Sequence, residues 1–434
     1  MKKINFFKGH PSVELLPSGE ISEAYRSVLM DTDYLSAEEN PLNRSPLNYG
    51  TDPGNIDVRT TISQWNNKLF HRTGSGPDKI NLTSGASYGI ANILASVTDV
   101  PTITKRGFIV SPTYFLINNT FIDFGFEGKL TAIEETPNKE YDIDLEKLEE
   151  CLKLYSETLE ESDGKEINVL SDPLRSKRKL YRFVIYVVPT YSNPGGLTYS
   201  VKTRLRLLEL ARQYDMLIIS DDVYDLLNYT GAEDIVPRIN YLDEDTLPSY
   251  KTYGNSISNA TFSKISAPGL RVGWQETPTP KLAQQLANTG ANKSGGTPAQ
   301  LASYVVQNLI QTGTLEAIVK NLKDVYAKRV NVLKASIGEY LPDSTIIVGG
   351  DGGYFLWVSI PGEIDHDKVV DKLEKENVIL ASGKHFEVHG DTKGWGRNCV
   401  RLAVSYLSES EIDEGIKKWG QVLRREYPEL YLKS

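Results

Sequence analysis

Residues 181–222 read YRFVIYVVPTYSNPGGLTYSVKTRLRLLELARQYDMLIISDD. The runs Tyr181–Pro189 and Met216–Asp222 are short, rich in β-branched residues and apolar almost throughout. That is the composition of strands covered on both faces. Between them, residues 201–215 space their apolar side chains as one stripe of an amphipathic helix. Strand, helix and strand at this separation predict a right-handed parallel crossover, and hence an α/β chain. Both strands run into polar residues at their carboxyl ends, where open α/β sheets bind ligands.

The same alternation continues to about residue 310, and then the texture changes. Charged helical segments, LKDVYAKRVNVLKASIGEYL (322–341) and HDKVVDKLEKENV (366–378), surround the strand-like runs GGYFLWVSI (352–360) and CVRLAVSYL (399–407). Three parts are expected. Residues 1–45 form an arm and part of a small domain, 46–310 a large domain with a mostly parallel sheet flanked by helices, and 311–434 a small α+β domain. The segment 151–182 begins as a helix, becomes the charged run ESDGKEINVLSDPLRSKRK (161–179), and reads as a solvated surface insertion.

The 434 residues are 40% hydrophobic and 24% charged, ordinary for a soluble globular enzyme. A net charge of −9 lacks the basic face that nucleic acid requires. Cys151 and Cys399 have neither metal-ligand nor disulfide spacing, which fits a reducing compartment. The opening MKKINFFKGHPSVELLPSGE has no apolar core of a secretory leader. No run approaches the ~20 apolar residues of a spanning helix. The cytoplasm is the expected location, and small molecules, not nucleic acid or membrane, are the expected partners.

Several polar residues fall where chemistry can be done. Lys264 lies in TFSKISAPGLRVGW (261–274), flanked by Thr261 and Ser263, with Arg271 seven residues on. An amine beside such an anion-binding cluster is what a Schiff-base cofactor such as pyridoxal phosphate requires; the alternative is a surface lysine in a Ser-rich loop. Asp221 and Tyr224, in SDDVYDLL (220–227), follow a buried-type strand. The carboxylate either caps the next helix or holds a ring nitrogen protonated. Asn193, in PTYSNPGG (189–196), is a turn residue or a hydrogen-bond donor to a phenolic oxygen. Ser84, Gly85, Ala86 and Ser87 open an apolar helix, whose free N–H groups cap a turn or face an anion. Tyr114, in VSPTYFL (110–116), can stack on an aromatic ligand. Arg401 sits in a strand-like alternation; pointing inward, its planar fork suits a carboxylate. His385 and His389, in KHFEVH, lack a metal-binding frame, so no metal site is expected.

Together these segments resemble the fold-type I, pyridoxal-phosphate-dependent aminotransferases of class I and II, over nearly the whole chain. LNYGTDPGNIDVR (47–59) is similar to the family's tyrosine–glycine segment and TSGAS (83–87) to its phosphate cup. PTYSNPGG resembles its Asn-Pro-Thr-Gly turn, with Gly195 where threonine is usual. SDDVY resembles its D-x-x-Y pattern, and TFSKISAPGLRVGW its lysine segment. GGYFLWVSIP and NCVRLAVSYLSESEIDEGI resemble its carboxy-terminal domain. INFFKGHPSVELLP (4–17) resembles the Gly-Gly-x-Pro start of an aminoadipate and kynurenine branch, with Lys8 in place of the first glycine.

The resemblance implies an aspartate aminotransferase-like fold, a homodimer, and an amino transfer from a 2-aminoadipate-type or aromatic L-amino acid to a 2-oxo acid such as 2-oxoglutarate. It implies that Lys264 condenses with the cofactor's aldehyde and shuttles the substrate proton. Asp221 would pair with the pyridinium nitrogen, and Tyr224 and Asn193 with the phenolic oxygen. Gly85, Ala86, Ser87, Thr261, Ser263 and Arg271 would hold the phosphate, with Tyr49 reaching it from the neighbouring subunit. Tyr114 would stack on the ring, and Arg401, with Asn193 and Gly9, would receive the substrate. Arg26, on the helical pattern ISEAYRSVL (21–29), either faces solvent or meets a second, distal carboxylate. Two other functions are compatible with the scaffold: a carbon–sulfur β-lyase, and a ligand-sensing domain such as those fused behind a helix-turn-helix. Because the resemblance begins within the first few residues, no such DNA-binding segment is expected.

Overall fold

A computed structural model describes residues 3–156, 169–172, 175–231, 235–249, 251–362 and 364–432. Its centre is a seven-stranded sheet made of β1 (Ile80–Thr83), β2 (Arg106–Ser111), β3 (Leu130–Glu134), β4 (Phe183–Val187), β5 (Met216–Asp221), β6 (Ser256–Thr261) and β7 (Gly273–Glu276). The order is β1-β7-β6-β5-β4-β2-β3. All neighbours are parallel except β7, which runs against both β1 and β6.

The opening stretch behaves as its composition predicts. Every residue of β4 and β5 is buried. Alternate side chains serve opposite faces, because successive strand residues point to opposite sides. Phe183, Ile185 and Val187 meet Leu207 and Ala211 of helix α2 (Val201–Gln213) in one cluster. Val184 and Tyr186 join a second cluster that includes Ile90, Ile93 and Leu94 of helix α1 (Ala86–Val97). Each large side chain so buried contributes about 1.5–3 kcal/mol. Helix α2 starts where the Ser200 side chain accepts from the Thr203 N–H at 3.2 Å.

A second sheet is antiparallel, ordered β8-β9-β11-β10, from β8 (Ile346–Gly349), β9 (Phe355–Ser359), β10 (Ala381–Ser382) and β11 (Cys399–Ala403). The long helix α3 (Thr314–Tyr340) packs on α4 (Glu409–Glu426), which begins in a capping box of Ser408 and Glu411. Near the amino terminus, Ile4 and Asn5 pair in parallel with Val378 and Ile379. Phe6 is fully buried there, so the chain that follows it is held firmly in place.

The charged run 161–179 is only partly visible: residues 157–168 and 173–174 lie outside the described residues. Its end is not solvated as expected. Val169–Asp172 and Arg175–Lys179 form an antiparallel hairpin. Lys179, at the end of the hairpin just before β4, is buried and ion-pairs with Asp215 at 2.5 Å. Among the described residues, no helix is long and apolar enough to cross a membrane.

Candidate active site

The parallel strands end on one edge, and their last residues converge there. β5 ends at Asp221, β6 runs through Thr261 to Ser263 and Lys264, and β1 leads into Gly85 and α1. Because β7 is reversed, its start lies on the same edge, and Arg271 stands just before it. The segment after β4 carries Asn193. These residues surround a cavity of about 460 Å³, lined also by Gly9, Ala86, Ser87, Tyr114, Tyr224 and Arg401.

Asp221 forms the floor. Its carboxylate accepts from Tyr186 Oη at 2.7 Å and from Asn259 Nδ2 at 2.9 Å. Burial pushes its pKa up to about 6, and those two bonds offset part of the rise. Lys264 rises beside it, with Nζ 3.4 Å from the Gly9 carbonyl oxygen. Burial first, and then the charge of Arg401, bring its amine down to about 8. Tyr354 Oη donates to the Lys264 carbonyl at 2.9 Å and pins its backbone. Tyr224 is buried against Tyr354 and Phe355, and burial raises its hydroxyl's pKa.

An anion cradle lies at the start of α1. Gly85 has φ +87°, and a Cβ there would come within 2.6 Å of Arg271 Nη2. Only glycine gives that close approach. The Arg271 guanidinium donates to Ser263 Oγ (3.3 Å), Pro268 O (3.1 Å) and Ser84 O (3.2 Å). Thr261 Oγ1 and Ser263 Oγ are hydrogen-bonded 3.0 Å apart, which fixes the hydroxyl pair facing it. The first N–H groups of a helix lack partners within the helix and favour an anion.

Arg401 enters from β11 and is 4% exposed. Nη1 donates to Asn193 Oδ1 at 2.8 Å and Nη2 to the Phe7 carbonyl at 2.6 Å. Its plane stacks between Phe355 and Phe386, whose ring centroids are 4.0 and 4.6 Å away. Nε is buried without a partner. A cation out of water and facing only neutral groups awaits an anionic ligand.

A model of the family described as aminotransferase class I and II matches residues 18–418. The chain belongs to this family. An uncharacterized protein of Saccharomyces cerevisiae is 44% identical over 437 residues, which cover 98% of this chain and 97% of that one. Aromatic-amino-acid aminotransferase 1 of Thermococcus litoralis is 27% identical over 98% of this chain and 88% of its own. Kynurenine aminotransferase of Pyrococcus horikoshii, in a structure complexed with PMP, matches with a TM-score of 0.77 at 26% identity, covering 98% of this chain and 92% of that one. The aspartate aminotransferase-like fold expected from the sequence is the fold observed.

As a class I and II aminotransferase, this chain takes pyridoxal phosphate as its cofactor and amino and 2-oxo acids as substrates. The site fits that group. A buried carboxylate, a phosphate-sized cradle closed by glycine, and a lysine amine of lowered pKa stand around one cavity.

Two residues named from the sequence lie elsewhere. Arg26 does not line the cavity; its guanidinium is exposed and ion-pairs with Glu23 at 2.6 Å. An acid one turn earlier on the same helix face holds it at the surface. Tyr49 is 76% exposed and does not line this chain's own cavity. Conversely, Tyr186, Asn259, Tyr354 and Phe386 were missed, although they hold Asp221, Lys264 and Arg401. An asparagine inside the otherwise strand-like SISNAT was the one readable signal among them.

Proposed function

We propose that this aminotransferase moves the amino group of an L-amino acid of 2-aminoadipate or aromatic type to a 2-oxo acid, with 2-oxoglutarate as the acceptor. The observation that carries this reading is the buried, anion-free Arg401 on the same cavity as Lys264. Bound pyridoxal phosphate supplies an aldehyde for the amine and an aromatic ring that withdraws electrons from the substrate's α-carbon.

The residues divide the remaining work. Arg401 and Asn193 take the α-carboxylate, which orients the α-hydrogen towards Lys264. Lys264, with its amine neutral above about pH 8, removes and returns that proton. Asp221 keeps the cofactor's ring nitrogen protonated, and Tyr186 and Asn259 keep Asp221 in place. Tyr224 and Asn193 bond the phenolic oxygen, and Tyr114 stacks on the ring. Gly85, Ala86, Ser87, Thr261, Ser263 and Arg271 bind the phosphate. We assign the exposed Tyr49 to the phosphate of a second subunit in a homodimer. With a division into 1–45, 46–310 and 311–434, the substrate arginine would belong to the last part and most of the cofactor residues to the middle one.

Borohydride reduction of the holoprotein, followed by peptide mapping, should leave a pyridoxyl group on Lys264. A scan of amino-acid donors against 2-oxoglutarate and pyruvate then tests the transfer. An adduct on another lysine, or pyruvate and ammonia released from cysteine conjugates without any 2-oxo acid, would overturn it.

A further inference from the structure

Three cations on the cavity have duties under the reading above: Lys264, Arg271 and Arg401. Lys8 is a fourth and has none. It lines the same cavity and stands where the resembling pattern has glycine. Its neighbours are fixed by the site itself. The Phe7 carbonyl accepts from Arg401, and the Gly9 carbonyl lies 3.4 Å from Lys264 Nζ. Lys8 therefore borders the space between the carboxylate-binding arginine and the reactive amine.

Its surroundings are prepared for a cation, and among the described residues no carboxylate pairs with it. Lys8 Nζ donates to Tyr406 Oη at 3.0 Å and lies 4.1 Å from that ring's centroid. His10, which also lines the cavity, meets Tyr406 in an edge arrangement with ring centroids 5.0 Å apart. Among the described residues, the only acid lining the cavity is Asp221, whose carboxylate is held by Tyr186 and Asn259. An ammonium at a partly dry rim, without a carboxylate partner, favours an anionic ligand over a neutral one.

We propose that Lys8 binds the distal carboxylate of the substrate, so that this site is built for dicarboxylic amino acids and dicarboxylic 2-oxo acids. The proposal rests on the aminotransferase reading of the cavity and narrows it. Lys8 fills the role that the exposed, Glu23-paired Arg26 does not. The α-carboxylate goes to Arg401, and the second carboxylate replaces the Tyr406 hydroxyl as the partner of Lys8.

The test uses the holoenzyme with pyruvate as a fixed, monocarboxylic acceptor. kcat/KM is measured for L-2-aminoadipate and L-glutamate against L-phenylalanine and L-leucine, in the unaltered protein and in Lys8→Met, Lys8→Arg and Lys8→Glu. The dicarboxylic-to-monocarboxylic ratio should fall at least about tenfold in Lys8→Met, about 1.4 kcal/mol, and mainly through KM. It should fall further in Lys8→Glu and be largely kept in Lys8→Arg. Calorimetric binding of glutarate, compared with butyrate, should weaken in the same order. Unchanged ratios and unchanged glutarate affinity in Lys8→Met and Lys8→Glu would overturn the proposal. If the unaltered holoenzyme transfers no amine from any of the four donors, to 2-oxoglutarate as well as to pyruvate, the aminotransferase reading fails instead, and glutarate binding still decides the role of Lys8.

Discussion

Placing a side chain at position 195 should break the site from behind. Gly195 belongs to the turn that carries Asn193, and a Cβ there would lie 1.9 Å from Glu135 Oε2 and 2.9 Å from Ser192 Oγ. No real Cβ sits so close, so the Glu135 carboxyl must move. It has nowhere easy to go. It is 8% exposed, and Oε1 accepts from Ser192 Oγ at 2.7 Å. Crowding a packed interior costs about 1–3 kcal/mol, and losing the Ser192 bond adds about 1 kcal/mol. Gly195→Ala should therefore destabilise by roughly 2–4 kcal/mol. The strain also reaches the chemistry. Ser192 precedes Asn193, whose Oδ1 accepts from Arg401 at 2.8 Å, and a bond to a charged group is worth about 1.5–3 kcal/mol. KM for the amino acid should rise on the order of tenfold or more. The assay is a double-mutant cycle with Glu135→Ala, read by urea unfolding and by KM. With the carboxyl gone, the methyl group has room, so the pair should cost less than the sum of its singles by at least about 1 kcal/mol. Costs that add to within about 0.5 kcal/mol would refute the claim that Glu135 fills the space of the absent side chain.

Three further outcomes are expected. The rate at which the apoprotein captures pyridoxal phosphate should rise with pH and level off above about 8, because only the neutral Lys264 amine attacks an aldehyde. Arg401→Gln should move that inflection upward, and a flat profile from pH 7 to 9 would contradict both statements. Burial lifts Glu135 from 4.5 to about 7, so the folded chain binds this proton more tightly than the unfolded chain. The resulting stability is complete below pH 4.5 and is lost as pH rises through about 7. Glu135→Gln should remove this dependence, gaining on the unaltered protein by an amount on the order of 3 kcal/mol between pH 4.5 and 8, as read from unfolding midpoints across that range. Arg238→Met should destabilise by about 3–5 kcal/mol in the same assay, since Arg238 is buried with Asp225 at 2.7 Å and Glu276 at 3.7 Å.

What could be read from the sequence was whatever sits next to a strand end. Asp221 and Asn193 each follow an apolar run, and the run itself announces where the sheet stops; Lys264 follows the polar SISNATFS and was legible from the Thr261, Ser263 and Arg271 around it. Tyr186 was hidden inside such a run: FVIYV is apolar throughout, so nothing in it says which side chains face Asp221, 35 residues later. Lys8 and Tyr406 meet across 398 residues, and no local pattern encodes that contact. Arg26 lies off this chain's cavity for the opposite reason. Its helix is weakly patterned, and a neighbouring glutamate decided its direction. Gly195 was visible as a departure from the family's turn, but only the fold shows Glu135 occupying the space.

The reversed strand β7 carries a cost in evolvability. Phe262 N–H donates to the Val272 carbonyl at 3.0 Å, and Thr261 Oγ1 donates to the same oxygen at 3.1 Å. One short connector, closed at its neck, thus delivers the reactive amine, a hydroxyl pair and a guanidinium as a single cassette. Its length is tied to three functions at once. Drift that elsewhere adds or removes a residue harmlessly would here displace every member together, so insertions tolerated on other surface turns should be purged between Thr261 and Gly273.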